Sequence, residues 1–197
     1  MEFWTQDEFQ AFLECVADKP ISYFAFEMLY WTGIREGELL ALTPADFNFE
    51  KKTLRINKSY QRLEGKDVIT DPKTPKSNRT IVMPDFLAVE MEDFISSLYG
   101  IKDDDRIFTI SKSYLHHEMD RGAKLAGVKR IRIHGLRHSH ISLLIDLGFS
   151  ALAIGERVGH EAVDITYHYA HLFPTVQTDM AAQLETEREA LVNVRKE

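Results

Sequence analysis

The sequence predicts a mostly helical domain carrying a small antiparallel β-sheet, an α+β fold class. Three observations predict it. Apolar residues recur at helical spacing before residue 43 and again after Pro84. A period-two pattern occupies the stretch between them. Glycines stand at Gly33, Gly127, Gly148 and Gly159, where helices should end.

In chain order, "WTQDEFQAFLECVA" reads as an amphipathic helix. Thr5 caps it with Glu8 three residues on, and Phe9, Phe12, Leu13 and Val16 face inward. Pro20 opens a second, strongly apolar helix that Gly33 ends. "REGELLAL" is a short helix closed by Thr43-Pro44. "TLRINKSY" and "RTIVMP" read as two strands, with Gly65 and Pro72 supplying turns between them. Helices are then expected near 85–99, 111–126, 134–147, 150–158 and 163–171, with a polar one at 175–192 and "RIFTI" as an extended link.

The chain has 197 residues, enough for one domain with a real core. No apolar run approaches the roughly 20 residues a bilayer requires, and no basic-then-apolar leader opens the chain. A single cysteine, Cys15, excludes an internal disulfide framework and suits a reducing cytosol; its helical context favours a buried position. The net charge of −7 argues against a nucleic-acid partner, but its distribution argues back. Residues 1–50 carry −8 and residues 51–80 carry +6. Charge alone favours a solvated hairpin over an anion-binding face.

Four stretches carry side chains capable of chemistry. In "TGIREGELLAL", Arg35 and Glu38 have ion-pair spacing on a helix. In "HGLRHSH", His134 shares a face with Arg137 and with His138. The His134/His138 spacing admits a metal-dependent hydrolase, although the intervening glutamate of such motifs is missing. "DPKTPKSNRTIVMP" places Lys73, Lys76 and Arg79, with Thr74 and Ser77, where a turn enters a strand. Lysines there are solvent-facing gatekeepers or a phosphate-reaching arm. "VGHEAVDITYHYAH" crowds His160, Tyr167, His168, Tyr169 and His171 together.

Taken in order, T-G-x-R-x-x-E-L, a turn lysine before S-x-R, H-x-L-R-H, G-H and Y-x-H resemble the catalytic domain of the tyrosine recombinases, the phage-type integrases. The resemblance runs from about Trp4 to Pro174. "PKTPKSNRTIVMP" and "YAHLFP" look most like integrases of Gram-positive phages and integrative elements. It implies a tyrosine recombinase catalytic-domain-like fold over 1–174, with 175–197 as a C-terminal helix or tail that contacts a protomer or frays. The family's N-terminal DNA-binding domains are expected to be absent from this chain.

The resemblance also implies roles. Arg35, Lys73, His134, Arg137, His160 and Tyr169 would be catalytic, with Glu38 bracing Arg35 and Lys76 the alternative to Lys73. Lys76, Ser77 and Arg79 would be DNA-phosphate-binding candidates. Tyr169 would attack, leaving a 3′-phosphotyrosyl link and a free 5′-hydroxyl, so that neither metal nor other cofactor is required. The residue chemistry agrees. Guanidinium groups grip phosphate oxygens in pairs, and a phenol needs its proton removed, for which His134 is a candidate base. Tyr167 competes with Tyr169, but residues two apart on a helix face roughly opposite sides. His138, His140 and His168 are left as structural or DNA-contacting, and His116 and His117 as surface residues. The implied partner is double-stranded DNA, with a homo-oligomeric, tetrameric synapse and no membrane, in the bacterial cytosol at the nucleoid. A DNA-binding module without chemistry is the third reading.

Overall fold

The computed structural model describes residues 2–71, 77–160, 162–169, 172, 181, 184–186 and 188. Lys73, Lys76 and most of the helix expected at 175–192 lie outside the described residues. Elsewhere the expected helices are present. They are α1 (Gln6–Val16), α2 (Pro20–Thr32), α3 (Glu36–Leu39), α4 (Asp85–Ser97), α5 (Lys112–Ala126), α6 (Ile133–Asp146), α7 (Ala151–Val158) and α8 (Ala162–Tyr169).

The first helix starts as its residues dictate. The Glu8 amide donates to Thr5 Oγ1 at 3.3 Å, and the Thr5 amide donates back to Glu8 Oε2 at 2.9 Å. Its apolar stripe then packs on α2 and α5. Phe9 stacks on Tyr30 with ring centroids 3.8 Å apart, and Phe12 meets Phe26 edge-on at 4.7 Å. The helix α5 approaches closely because Gly122 has no side chain. A Cβ there would lie 2.5 Å from Phe12 Cε2 and 2.7 Å from Val16 Cγ1. Cys15 is half-buried beside this stripe rather than in the core.

The β-region differs from expectation in detail. Strands β1 (Phe47–Asn48), β2 (Thr53–Ile56) and β5 (Arg79–Val82) form one antiparallel sheet in the order β1-β2-β5, with Leu54 opposite Ile81. Strands β3 (Ser59–Leu63) and β4 (Lys66–Thr70) form a separate hairpin. Glu64 and Gly65, both at positive φ, turn that hairpin in two residues. The expected single strand over "TLRINKSY" thus breaks at Asn57-Lys58. Lys58 there donates to Thr43 Oγ1 at 3.2 Å and pairs with Asp46, pulling the chain toward the preceding turn. Leu54, Ile56 and Tyr60 are buried on both sides of the break, so the alternation continues through it and conceals it. Much of this region's positive charge is spent internally. Lys52 pairs with Asp85, Arg55 and Lys58 with Asp46, and Arg79 with Glu38.

Two apolar clusters result. The larger joins α1, α2, α4 and α5 to the three-stranded sheet. The smaller gathers Ile141, Ile145, Ile154, Val158 and Tyr169 from α6, α7 and α8. Within the larger one, the Glu27 carboxyl is pushed up to about 7 by burial and then by the charge of Glu90. A carboxyl whose folded value exceeds the ordinary 4.5 holds its proton more tightly when folded. Its contribution therefore weakens stability as pH rises from 4.5 to about 7. Glu27→Gln should remove that decline and stabilise the protein at pH 8 by on the order of 2–3 kcal/mol. Urea unfolding at pH 5 and pH 8 checks this; a variant no more stable than wild type at the higher pH would contradict it.

Candidate active site

Arg35 stands just before α3, and Glu38 one turn later reaches back to it. The Arg35 amide donates to Glu38 Oε2 at 2.9 Å and its Nη1 to Oε1 at 2.8 Å. The i,i+3 spacing read from the sequence is therefore a side-chain clamp on both backbone and guanidinium. Arg79, arriving from β5, grips the same carboxylate. Its Nη1 donates to Oε1 at 3.1 Å and its Nη2 to Oε2 at 2.9 Å. Burial opposes the charged form of Glu38, but Arg79 and then Arg35 outweigh it and hold the carboxyl below its ordinary value.

Arg79 was expected to reach outward to phosphate. Here it is turned inward: its Nε donates to the Arg157 carbonyl at 2.9 Å and its Nη1 also to the Ser77 carbonyl at 3.0 Å. Ser77 is itself buried.

Arg137, on α6, is 1% exposed. Its Nη1 donates to the Gly33 carbonyl at 2.6 Å, its Nη2 to the Val158 carbonyl, and its buried Nε has no partner among the described residues. Burial, then the charge of Arg35, lowers its pKa to about 9. Gly33 earns its place twice. Its φ of 65° turns the chain out of α2, and a Cβ would sit 2.5 Å from His140 Cδ2.

The end of α7 ties these arginines together. Its last carbonyls lack helical partners, as at any helix C-terminus. Arg157, Val158 and Gly159 offer three consecutive carbonyls, accepting from Arg79, Arg137 and Arg35 respectively, the last at 3.4 Å. The helix dipole there favours cations as well. His160 follows, half-buried, its amide donating to the Gly155 carbonyl at 2.9 Å. Its imidazole is lowered to about 4 by burial and then by Arg137 and Arg35. His134 opens to solvent, yet burial of its ring against the protein and the same two charges also lower its pKa.

Tyr169 is 3% exposed, whereas Tyr167, two residues earlier, is 83% exposed. Only Tyr169 points inward, and its Oη is hydrogen-bonded to His138 Nδ1. Burial pushes the phenol up to about 12, against the opposing charge of Arg137. His168 is exposed, with Nδ1 2.8 Å from the Asp164 carbonyl. The site thus brings together Arg35, Glu38, Arg79, His134, Arg137, His160 and Tyr169. Among the described residues, no three His, Cys, Asp or Glu side chains gather as a metal-holding group.

Three residues were not read from the sequence as parts of this site. Arg157 Nε donates to His140 Nε2 at 3.0 Å, and its Nη2 to the Trp31 carbonyl at 3.1 Å. Burial, then Arg157's charge, keeps the buried His140 neutral down to about 3. His138 is the third. Its place on the His134 face was visible as i,i+4 spacing, but its contact with Tyr169 crosses 31 residues and leaves no local signal.

The phage integrase family model matches residues 2–175. The chain belongs to the phage integrase family. The ICEBs1 integrase of Bacillus subtilis is 31% identical over 200 residues, covering 94% of this chain and 54% of that protein. The integrase of Staphylococcus phage L54a is 30% identical, covering 82% of this chain and 51% of that one. The Gram-positive likeness expected from "PKTPKSNRTIVMP" and "YAHLFP" accordingly holds. This member spans about half the length of the curated relatives it matches.

Solved structures agree on the fold. The Tn1549 transposon integrase, in complex with a circular intermediate DNA, superposes with a TM-score of 0.75 at 21% identity, over 95% of this chain and 65% of that one. The catalytic domain of bacteriophage HP1 integrase superposes at 0.65 and 20% identity, over 93% of this chain and 94% of that one. Among the described residues, no helix of this family member is long and apolar enough to cross a membrane.

Proposed function

We propose that this chain is the catalytic part of a cytoplasmic, site-specific DNA recombinase that cuts and rejoins strands through Tyr169. One observation carries the reading: Arg35 and Arg79 share the buried Glu38 carboxylate, and Arg137 lies buried beside them with only carbonyl oxygens as its bonded partners among the described residues. Three guanidinium groups around one carboxylate leave an excess of positive charge that calls for a bound anion, and a phosphodiester supplies one. Tyr169 lies within electrostatic reach of Arg137.

In this mechanism Arg35 and Arg137 take the non-bridging phosphate oxygens. Charge grows on those oxygens in the transition state, so fixed donors there stabilise it more than the ground state. Glu38 and Arg79 position Arg35, while His134 and His160 line the same pocket. An imidazole removes the Tyr169 proton as Oη attacks phosphorus. The leaving 5′ oxygen takes a proton from Lys73, with Lys76 as the alternative donor. The 3′-phosphotyrosyl bond retains the energy of the broken one, so rejoining needs only a 5′-hydroxyl from another strand. Four protomers on two duplexes would complete the exchange.

The test is an adduct. The chain is incubated in EDTA with nicked duplexes randomised around the nick, then denatured in SDS. A DNA-linked band is expected from the wild type and none from Tyr169→Phe. No band from the wild type, or an equal one from the variant, would refute the assignment. DNA cleaved only with added divalent metal, and with no DNA-linked band, would favour the hydrolase chemistry instead.

A further inference from the structure

We infer that His138, rather than His134, receives the Tyr169 proton when the phenolic oxygen attacks phosphorus. This role presupposes the strand-exchange reading above. The geometry that points to it is direct. Tyr169 Oη is hydrogen-bonded to His138 Nδ1, and their ring centroids are 5.9 Å apart across a 50° tilt. His134 instead meets the His138 ring at right angles, with centroids 4.8 Å apart. It packs against the acceptor rather than against the phenol.

The protonation states fit. His138 is pushed down to about 4, by burial first and then by the charges of His134 and Arg137. At neutral pH its imidazole is uncharged. With the proton on Nε2, Nδ1 offers a lone pair to the phenolic O–H. The phenol is held protonated by burial and has a proton to give. A phosphate bound at Arg137 and Arg35 would offset the positive charge around His138 and raise its basicity toward the ordinary value. The acceptor would thus gain strength when substrate is seated.

The step balances as follows. The Oη–P bond forms while the P–O5′ bond breaks, with its electron pair leaving on O5′. The phenolic proton moves to His138 Nδ1, and O5′ takes its own proton from the hairpin lysine. In rejoining, His138 returns its proton to the departing phenolate. Because the hydrogen bond exists before DNA arrives, no side chain has to search for the phenol, and general-base help of this kind gives about 10²–10⁴-fold in rate.

Two measurements test the role. In the chain labelled with ¹⁵N-histidine, long-range proton–nitrogen correlation should show His138 as the Nε2–H tautomer, with an Nδ1 signal that moves in Tyr169→Phe. In the adduct assay, His138→Gln should slow adduct formation about 100-fold or more at unchanged DNA affinity. At sub-saturating DNA, where the free protein's protonation governs, the wild-type rate should hold level down to about pH 5 and fall toward pH 4 as His138 takes up a proton. With DNA saturating, the same limb should move to higher pH. That acidic limb should vanish in His138→Gln and persist in His134→Gln. A His138→Gln rate within about threefold of wild type, or a limb that follows His134, overturns the inference while leaving the recombinase reading intact. A wild type that forms no adduct removes both. Matching thermal melts exclude misfolding as the cause of a slow variant.

Discussion

Glu38→Ala should cost this protein about 3–5 kcal/mol of stability, the usual penalty for deleting one partner of a buried ion pair. The carboxylate is buried and shared by Arg35 and Arg79. Its loss leaves the buried Arg79 and the half-buried Arg35 guanidiniums without their carboxylate beside Arg137, and it frees the Arg35 amide that Glu38 caps. Glu38→Gln keeps the shape and removes only the charge, so it should fall between alanine and wild type. The pH dependence has a definite sign. A carboxyl held below its ordinary value lends stability above 4.5 and loses it as pH falls through the lowered folded value. Urea unfolding at pH 7 and pH 4 should show the gap between wild type and Glu38→Ala narrowing in acid. A gap that widens would place the carboxylate's contribution elsewhere.

The second large effect concerns chemistry. Arg137→Lys should slow adduct formation about 10²–10³-fold, the range seen when one donor to a developing oxyanion is removed. A lysine cannot reproduce the planar fork that spans the Gly33 and Val158 carbonyls while keeping Nε free for a ligand. An amine in this buried site, beside Arg35, would also shed its proton, because the same surroundings already lower the arginine to about 9. The defect should therefore shrink as pH falls and the amine recharges. Single-turnover rates from pH 8.5 to pH 6 check this; a defect that is constant with pH would show that geometry alone is at stake.

Much of this could be read from residues close together in sequence. Thr5 and Glu8 mark a helix start, Gly33 an end, and Arg35 with Glu38 a clamp, because each relation spans three or four residues. The opposite exposures of Tyr167 and Tyr169 followed from helical geometry alone. What was not legible was set by packing between distant segments. Arg79 turned inward because Glu38 and the end of α7 supply acceptors across 41 and 78 residues. Lys58 broke a strand whose apolar alternation runs on unchanged. Arg157 and His140 meet across 17 residues, and nothing in "ERVGH" or "HSH" announces that they touch.

The three carbonyls at the end of α7 have a temporal consequence. Arg35, Arg79 and Arg137 leave the ribosome before their acceptors at Gly159, Arg157 and Val158, which come 124, 78 and 21 residues later. A nascent chain that stops before α7 carries all three cations with none of these fastenings, and without Tyr169. The arginine cluster therefore closes only once α7 has been made.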